Sequence, residues 1–452
     1  MIPSVRHRRR AAAIALVTAI VGCEQTERLS DAFRDLTPYE AYRASLGAAG
    51  LAETALGRDW IRAGEVAIEG AAPVSLPFSE EGFITAEEPS AMAYRLSLPR
   101  GQRLTADVEL TGAEGTRLFV DLFRVPQDPE AQPRPVLSTD SLPGSFVHEP
   151  WRGGEYILRV QPELLRGGRY RVTLRLEAQL AFPVEGHGMP AVWSVFGVER
   201  DGGRRSHDGV DIFAPRGTPV LASSAGWAEG IEITNLGGKV VWVRDPVRNS
   251  RIYYAHLDSQ AVADGDRIEV GDTLGFVGNT GNARTTPPHL HFGVYRSGEG
   301  PVDPTPFIRP VQGSVPELTA DLDRLGSWVR LRNDGIRLRS APGLRAPVVR
   351  ELPRYTALRV VGGAGEYFRV RLPDGESGYV AARLTEDANQ PFSSQVATSG
   401  ERVRARPVDA SPVLAMVDAE TELPVLGTYG RFLYVQAPDG HLGWLDAATT
   451  EE

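Results

Sequence analysis

Apolar and polar residues alternate along much of this chain. Tyr94-Arg95-Leu96-Ser97-Leu98, Leu118-Phe119-Val120-Asp121-Leu122 and Tyr170-Arg171-Val172-Thr173-Leu174-Arg175-Leu176 each follow a period of two. Turns rich in Gly and Pro separate them, so residues 75–182 are expected to form strands. The pattern before them is helical. Thr37-Pro38-Tyr39-Glu40 places an N-cap, a proline in the first turn and a Glu three residues after the cap, a capping box. Tyr39, Tyr42 and Leu46 then share a face, and Gly47 and Gly50 end the run. Leu51, Ala55, Trp60 and Ile61 suggest a second short helix, so residues 23–72 are expected to form a helical hairpin or stalk.

Past a polar linker at 313–325, one pattern occurs twice at an offset of 65 residues. Arg339 and Pro342 recur as Arg404 and Pro407. Pro373-Asp374-Gly375 recurs as Pro438-Asp439-Gly440, and Gly378-Tyr379-Val380 as Gly443-Trp444-Leu445. A single offset held across separated turns predicts two copies of one fold, at 326–386 and 393–448. The run Gly335-Ile336-Arg337-Leu338-Arg339-Ser340-Ala341-Pro342 and the closing Gly-aromatic-Val resemble bacterial SH3-type domains. That resemblance implies small barrels, some of which hold cell-wall peptides.

At the N-terminus, Arg6, Arg8, Arg9 and Arg10 precede the apolar stretch 11–22, which is too short to span a bilayer and suits a signal peptide over residues 1–22. Ile20-Val21-Gly22-Cys23 then looks like a lipoprotein signal, with the chain's sole cysteine as the lipidation site. No later segment is apolar enough to span a bilayer. The expectation is an exported protein, lipid-anchored on the periplasmic side of the cell envelope. Glu24, where an Asp would signal inner-membrane retention, points to the outer membrane.

Length and composition narrow the picture further. The chain has 452 residues, too many for one core. Its net charge of −9 leaves no general basic footprint for nucleic acid, so no nucleic-acid partner is expected. Locally the balance inverts. Residues 326–386 hold 11 arginines and six acids, a charge of 11 − 6 = +5, which would draw the module toward anionic wall polymers. A single cysteine rules out an internal disulfide, so cores and metal must supply stability.

The chemistry lies in three short stretches that hold half of the eight histidines: Ser206-His207-Asp208-Gly209-Val210-Asp211, Tyr253-Tyr254-Ala255-His256-Leu257 and Pro287-Pro288-His289-Leu290-His291-Phe292-Gly293. Two imidazoles and a carboxylate are a normal ligand set for a hydrolytic zinc whose fourth position is left to water. The remaining two histidines could then transfer protons. His207 and Asp211 are four apart, but Gly209, Val210, Ile212 and Pro215 favour extended chain over helix. His289 and His291 sit at i and i+2, on one side of a strand, and the two prolines before them hold the chain extended. Gly237-Gly238-Lys239 is not a phosphate loop, because no Gly-Lys-Ser/Thr pattern is present. His148 and His187 read as ordinary core histidines, and His441 as a surface residue.

With Ser194-Val195-Phe196-Gly197, Ala214-Pro215-Arg216-Gly217-Thr218-Pro219-Val220 and Gly278-Asn279-Thr280-Gly281 in the same order, the segment 185–310 resembles the lysostaphin-type (LytM-like) zinc endopeptidases. The resemblance implies one Zn2+ per chain held by His207, Asp211 and His291, with His256 and His289 catalytic. Which of those two is the base is left open. It also implies an antiparallel β-sheet with an open groove. Within 75–182, Gly154-Glu155-Tyr156-Ile157-Leu158 and Gly168-Arg169-Tyr170-Arg171-Val172 resemble the last strands of the small β-sandwich modules found beside secreted peptidases, which implies a β-sandwich there. The fold expected is mainly β and multidomain: an N-terminal helical segment, a β-sandwich, an antiparallel β-sheet peptidase domain and two small SH3-like barrels.

The function this supports is hydrolysis of peptide cross-links in peptidoglycan by a zinc-activated water, with peptidoglycan peptides and the membrane as partners. The alternatives are a non-enzymatic LytM-like activator of wall amidases, an adhesin or binding module, and an endopeptidase directed at proteins.

Overall fold

A computed structural model describes residues 36–447 except 113, 114, 141–143, 201, 312 and 399. The expected signal peptide and Cys23 lie outside the described residues. Among the described residues, no helix is long and apolar enough to cross a membrane.

The first helix, Pro38–Ala48, starts where its capping pattern requires. The Thr37 side chain accepts from the Glu40 amide at 3.2 Å, and the Thr37 amide donates to Glu40 at 2.8 Å. The second helix, Ala55–Glu69, brings Trp60 to 5.0 Å from the Tyr39 ring and 6.0 Å from Phe119 of the sandwich. Trp60 Nε1–H donates to the Pro162 carbonyl at 2.8 Å. Arg159 stands over the Tyr39 ring and pairs with buried Asp121 at 2.6 Å. Aromatic burial therefore holds the helices against the sandwich.

Two sheets make the sandwich. One runs Ala72–Pro73, Met92–Leu98, Gly154–Pro162, Leu118–Arg124 and Arg134–Thr139. The other contains Phe78–Ile84, Gly168–Ala178, Gln102–Thr111 and Phe146–His148, and it does not stop at the module's edge. Phe78–Ile84 also pairs with Ala357–Ala364 of the first C-terminal barrel, through Glu81↔Gly363 and Gly82↔Gly362. A sandwich edge strand is thus capped by another domain, which removes an exposed edge.

At this junction lies Glu80, fully buried. Its carboxylate accepts from Tyr94 and Tyr170 of the sandwich at 2.7 Å each, and from Tyr379 and Arg369 of the barrel. Burial, with Glu80 beside them, pushes all three tyrosines well above their usual range, so their hydroxyls remain donors. Arg359 and Arg371 pair with Glu88 of the sandwich. The arginines counted above as a basic surface are therefore partly consumed inside the molecule. Arg330 likewise donates to the Gln390 and Leu426 carbonyls, toward the second barrel.

Six strands of the first barrel recur in the second at the 65-residue offset. Ile336–Arg339 recurs as Glu401–Arg404, Val348–Leu352 as Val413–Val417, and Tyr367–Arg371 as Phe432–Gln436. They contact each other through Trp328 with Tyr434, ring centroids 5.0 Å apart, and through a Tyr355–Phe392 stack at 3.9 Å.

The central domain is an antiparallel sheet in the order Val192–Ser194, Val210–Phe213, His289–Arg296, Ser250–Leu257, Gly238–Asp245, Gly226–Thr234 and Arg267–Ile268. Its buried face carries Val210, Ile212, Ile252, Tyr254, Leu290, Phe292 and Val294. The alternate residues on these strands are free to build a site on the opposite face. The sandwich braces the far end, where Trp151 Nε1–H donates to Glu299 at 2.7 Å and Arg296 stacks on Trp151.

Candidate metal centre

Three neighbouring strands bring the five residues together. Asp211 is the cross-strand partner of His291, and His291 is the partner of Ala255, beside His256. Because Ile212 and Leu290 point into the core, Asp211, His289 and His291 must point the other way. His207 comes from the extended segment just before Val210–Phe213. The non-helical reading of His207-x-x-x-Asp211 and the shared face of His289 and His291 both hold.

His207 Nε2, Asp211 Oδ1 and His291 Nδ1 form a triangle with edges of 2.9, 3.0 and 3.0 Å. The chemistry of this triangle fits a cation. His207 Nδ1 is 2.9 Å from the Val195 carbonyl, which can only accept, so Nδ1 carries the proton and Nε2 keeps its lone pair. Lone pairs of two imidazoles and a carboxylate then converge on one point, where a metal ion replaces their mutual repulsion with bonding. Gly209 clears space for this: a Cβ there would lie 2.4 Å from the Phe292 carbonyl and 2.9 Å from His291 Nε2.

Burial alone would raise the Asp211 pKa. When His207 and His291 carry protons in place of a metal, their hydrogen bonds and charges outweigh it and hold the carboxyl well below the usual range. Burial lowers His291. It also lowers His256, helped by the neighbouring His289 and His291, to about 4.

His256 and His289 stand beside the triangle, with ring centroids 5.0 Å apart. His256 Nδ1 faces the Thr280 carbonyl at 2.9 Å, and His289 Nδ1 faces the Pro287 carbonyl at 2.9 Å. Each ring therefore donates through Nδ1 and keeps its lone pair on Nε2. His289 Nε2 lies 4.0 Å from Asp211 Oδ1. His256 is held at φ 64, a backbone conformation uncommon for a residue with a side chain. The Gly278-Asn279-Thr280-Gly281 turn supports it. The Thr280 hydroxyl donates to the Leu257 carbonyl at 2.8 Å and accepts from the Lys239 amide at 2.9 Å. This crossing also accounts for Gly238: a Cβ there would meet Thr280 at 2.2 Å.

Several contributors were not singled out by sequence. Arg200 donates to Asp211 Oδ2 at 2.8 Å and to Ser194 Oγ at 2.6 Å. Phe213 stacks between His289, at 4.9 Å, and exposed Trp193, at 4.7 Å. Tyr253 packs edge-on to His291 at 5.8 Å. Their roles depend on strand neighbours, which no local spacing encodes. Of the remaining histidines, His148 packs half-buried on Tyr156, while His187 sits on a partly exposed loop and not in a core.

Residues 205–304 match the family model Peptidase family M23, and residues 334–386 match Bacterial SH3 domain. The L-Ala--D-Glu endopeptidase of Bacillus subtilis is 37% identical over 118 residues, covering 24% of this chain and 36% of that protein. The DD-carboxypeptidase/endopeptidase Mpg of Neisseria meningitidis serogroup B is 40% identical over 120 residues, 25% of each chain. The uncharacterized lipoprotein YgeR of Escherichia coli is 33% identical over 123 residues, 26% of this chain and 43% of that protein. The match thus spans less than half the length of each relative. The family match encloses all five site residues. Residues 205–304 are a Peptidase family M23 domain, carried in one chain with a bacterial SH3 domain.

Proposed function

We propose that this chain is a cell-envelope zinc endopeptidase that hydrolyses peptide cross-links of peptidoglycan. The observation that carries the reading is the pairing of a metal-ligand triangle with two histidines whose Nε2 lone pairs are free. A non-enzymatic activator of amidases has no use for either feature. The names of the Bacillus and Neisseria relatives, both peptidases, support the same class of reaction.

His207, Asp211 and His291 would hold the metal, one ion per chain. When bound, zinc supplies Lewis-acid activation of water and polarises the scissile carbonyl. The chain's own residues do the rest. His256, lowered to about 4, is neutral at pH 7 and enters as a proton acceptor at Nε2. Once either His256 or His289 gains a proton, its Nε2 becomes an N–H donor. It can then stabilise the oxyanion or hand the proton to the leaving amine. The carbonyls of Thr280 and Pro287 keep both rings oriented through these steps.

The flanking modules would present this site to the wall. Five of the first barrel's arginines, at 330, 350, 359, 369 and 371, are engaged at interfaces with the sandwich or second barrel. Net charge is therefore a weaker basis for wall contact by the SH3 pair than the arginine count alone implies. Attachment through Cys23 is supported by its signal-like context and by the lipoprotein relative. Cys23→Ser should release the protein from the membrane fraction, and unchanged membrane association would sink the anchor.

The activity is tested with the purified chain from residue 24. It should cleave a synthetic cross-linked stem peptide, lose the activity to a chelator and regain it with stoichiometric zinc. A zinc-loaded protein that cuts casein and leaves wall peptides intact would favour the protein-directed alternative.

A further inference from the structure

The two oxygens of Asp211 face different ways. Oδ1 is turned to the triangle, 2.9 Å from His207 Nε2 and 3.0 Å from His291 Nδ1. Oδ2 is turned away and accepts from Arg200 Nη2 at 2.8 Å. Arg200 is itself fixed. Its Nη2 also donates to Ser194 Oγ at 2.6 Å, and Ser194 is the cross-strand partner of Asp211. The hairpin Glu199–Arg200 with Arg205–Ser206 sets its backbone. Arg200 thus reaches the carboxylate from the strand edge, outside the ligand set.

A carboxylate can bind a cation with one oxygen or with both. Binding with both raises the coordination number and crowds the position a hydrolytic site must keep open. Resting on the zinc reading above, we propose that Arg200 is a positioning residue that makes Asp211 a one-oxygen ligand and so reserves the fourth position. A charge-assisted hydrogen bond of this kind is among the stronger ones, and it occupies the very oxygen that would otherwise turn to the metal. Partners of metal ligands commonly contribute roughly 10–100-fold to affinity or activity. The prediction here is more specific: loss of Arg200 changes the coordination number and not the metal content.

Cobalt(II) replaces zinc with little change in ligand preference, and its visible absorption is intense at four-coordinate sites and weakens as the coordination number rises. Cobalt-substituted wild type, Arg200→Ala and Arg200→Lys should be compared together with zinc stoichiometry, melting temperature and turnover. Arg200→Ala is expected to hold one metal per chain, to lose visible absorption, and to turn over roughly 10–100-fold more slowly. Arg200→Lys, with a single donor able to reach Oδ2, should recover part of both signals. Arg200→Gln, which keeps a neutral donor in place of the guanidinium, should give a smaller change of the same sign and serves if Arg200→Ala does not fold. An Arg200→Ala protein with a wild-type cobalt spectrum overturns the proposal. So does one that folds but retains no metal, since Arg200 would then serve affinity. A wild-type chain that binds neither zinc nor cobalt would instead sink the metal reading itself.

Discussion

The Tyr379 hydroxyl of the first barrel donates to the Glu80 carboxylate inside the sandwich, 299 residues earlier in the chain. With Arg369 on the same carboxylate, the barrel supplies two of the four donors around a fully buried acid. Removing one partner of a buried charge is far more costly than the pair is stabilising. Arg369→Ala should therefore destabilise the protein by roughly 3–5 kcal/mol and Tyr379→Phe by roughly 1–3 kcal/mol, measured by urea unfolding. Deleting residues 313–452 strips both donors and the paired strand, and should lower the melting temperature of what remains. An unchanged melting temperature would mean that the barrels are independent appendages.

Much of the site was legible because its constraints are local. Period-two spacing put His289 and His291 on one face, and the prolines before them forbade a helix. The order of motifs supplied the rest. The junction was illegible for the opposite reason. Nothing in the local sequence marks Glu80 and Glu81 for burial, yet both are buried, with Arg369 as Glu80's partner nearly 290 residues away. Arg200 was missed on similar grounds. It lies four residues past Phe196, on a two-residue strand, and only the fold shows that it faces Asp211.

Ligands and proton carriers should separate by metal content. His207→Ala, Asp211→Ala and His291→Ala should lower zinc occupancy and activity together. His256→Ala and His289→Ala should keep zinc and lose roughly 10²–10⁴-fold in turnover. Metal analysis beside single-turnover kinetics checks this, and a zinc-free His289→Ala protein would reverse the assignment within the His-Leu-His pair.

Gly209→Ala tests the geometry without touching a ligand. Its Cβ would press on the Phe292 carbonyl and the His291 ring. The expected outcome is a loss of roughly 1–3 kcal/mol of stability and weaker zinc binding, from melting curves and chelator competition.

The metal-free protein should lose stability in mild acid. His256 has a folded pKa of about 4 against an ordinary 6.5, so the unfolded chain binds the proton more readily. Its contribution is fully present above pH 6.5 and is lost as the pH falls from 6.5 to 4, on the order of 3 kcal/mol in all. His291, also lowered, acts in the same direction. Urea unfolding across this range should show the slope, and His256→Gln should flatten it.

The most direct test is mass spectrometry of the peptides that purified chain from residue 24 releases from intact sacculi. The account predicts new fragments cut within the peptide cross-links, absent with chelator and absent with His289→Ala. A zinc-loaded wild-type protein that leaves the muropeptide profile unchanged would contradict it.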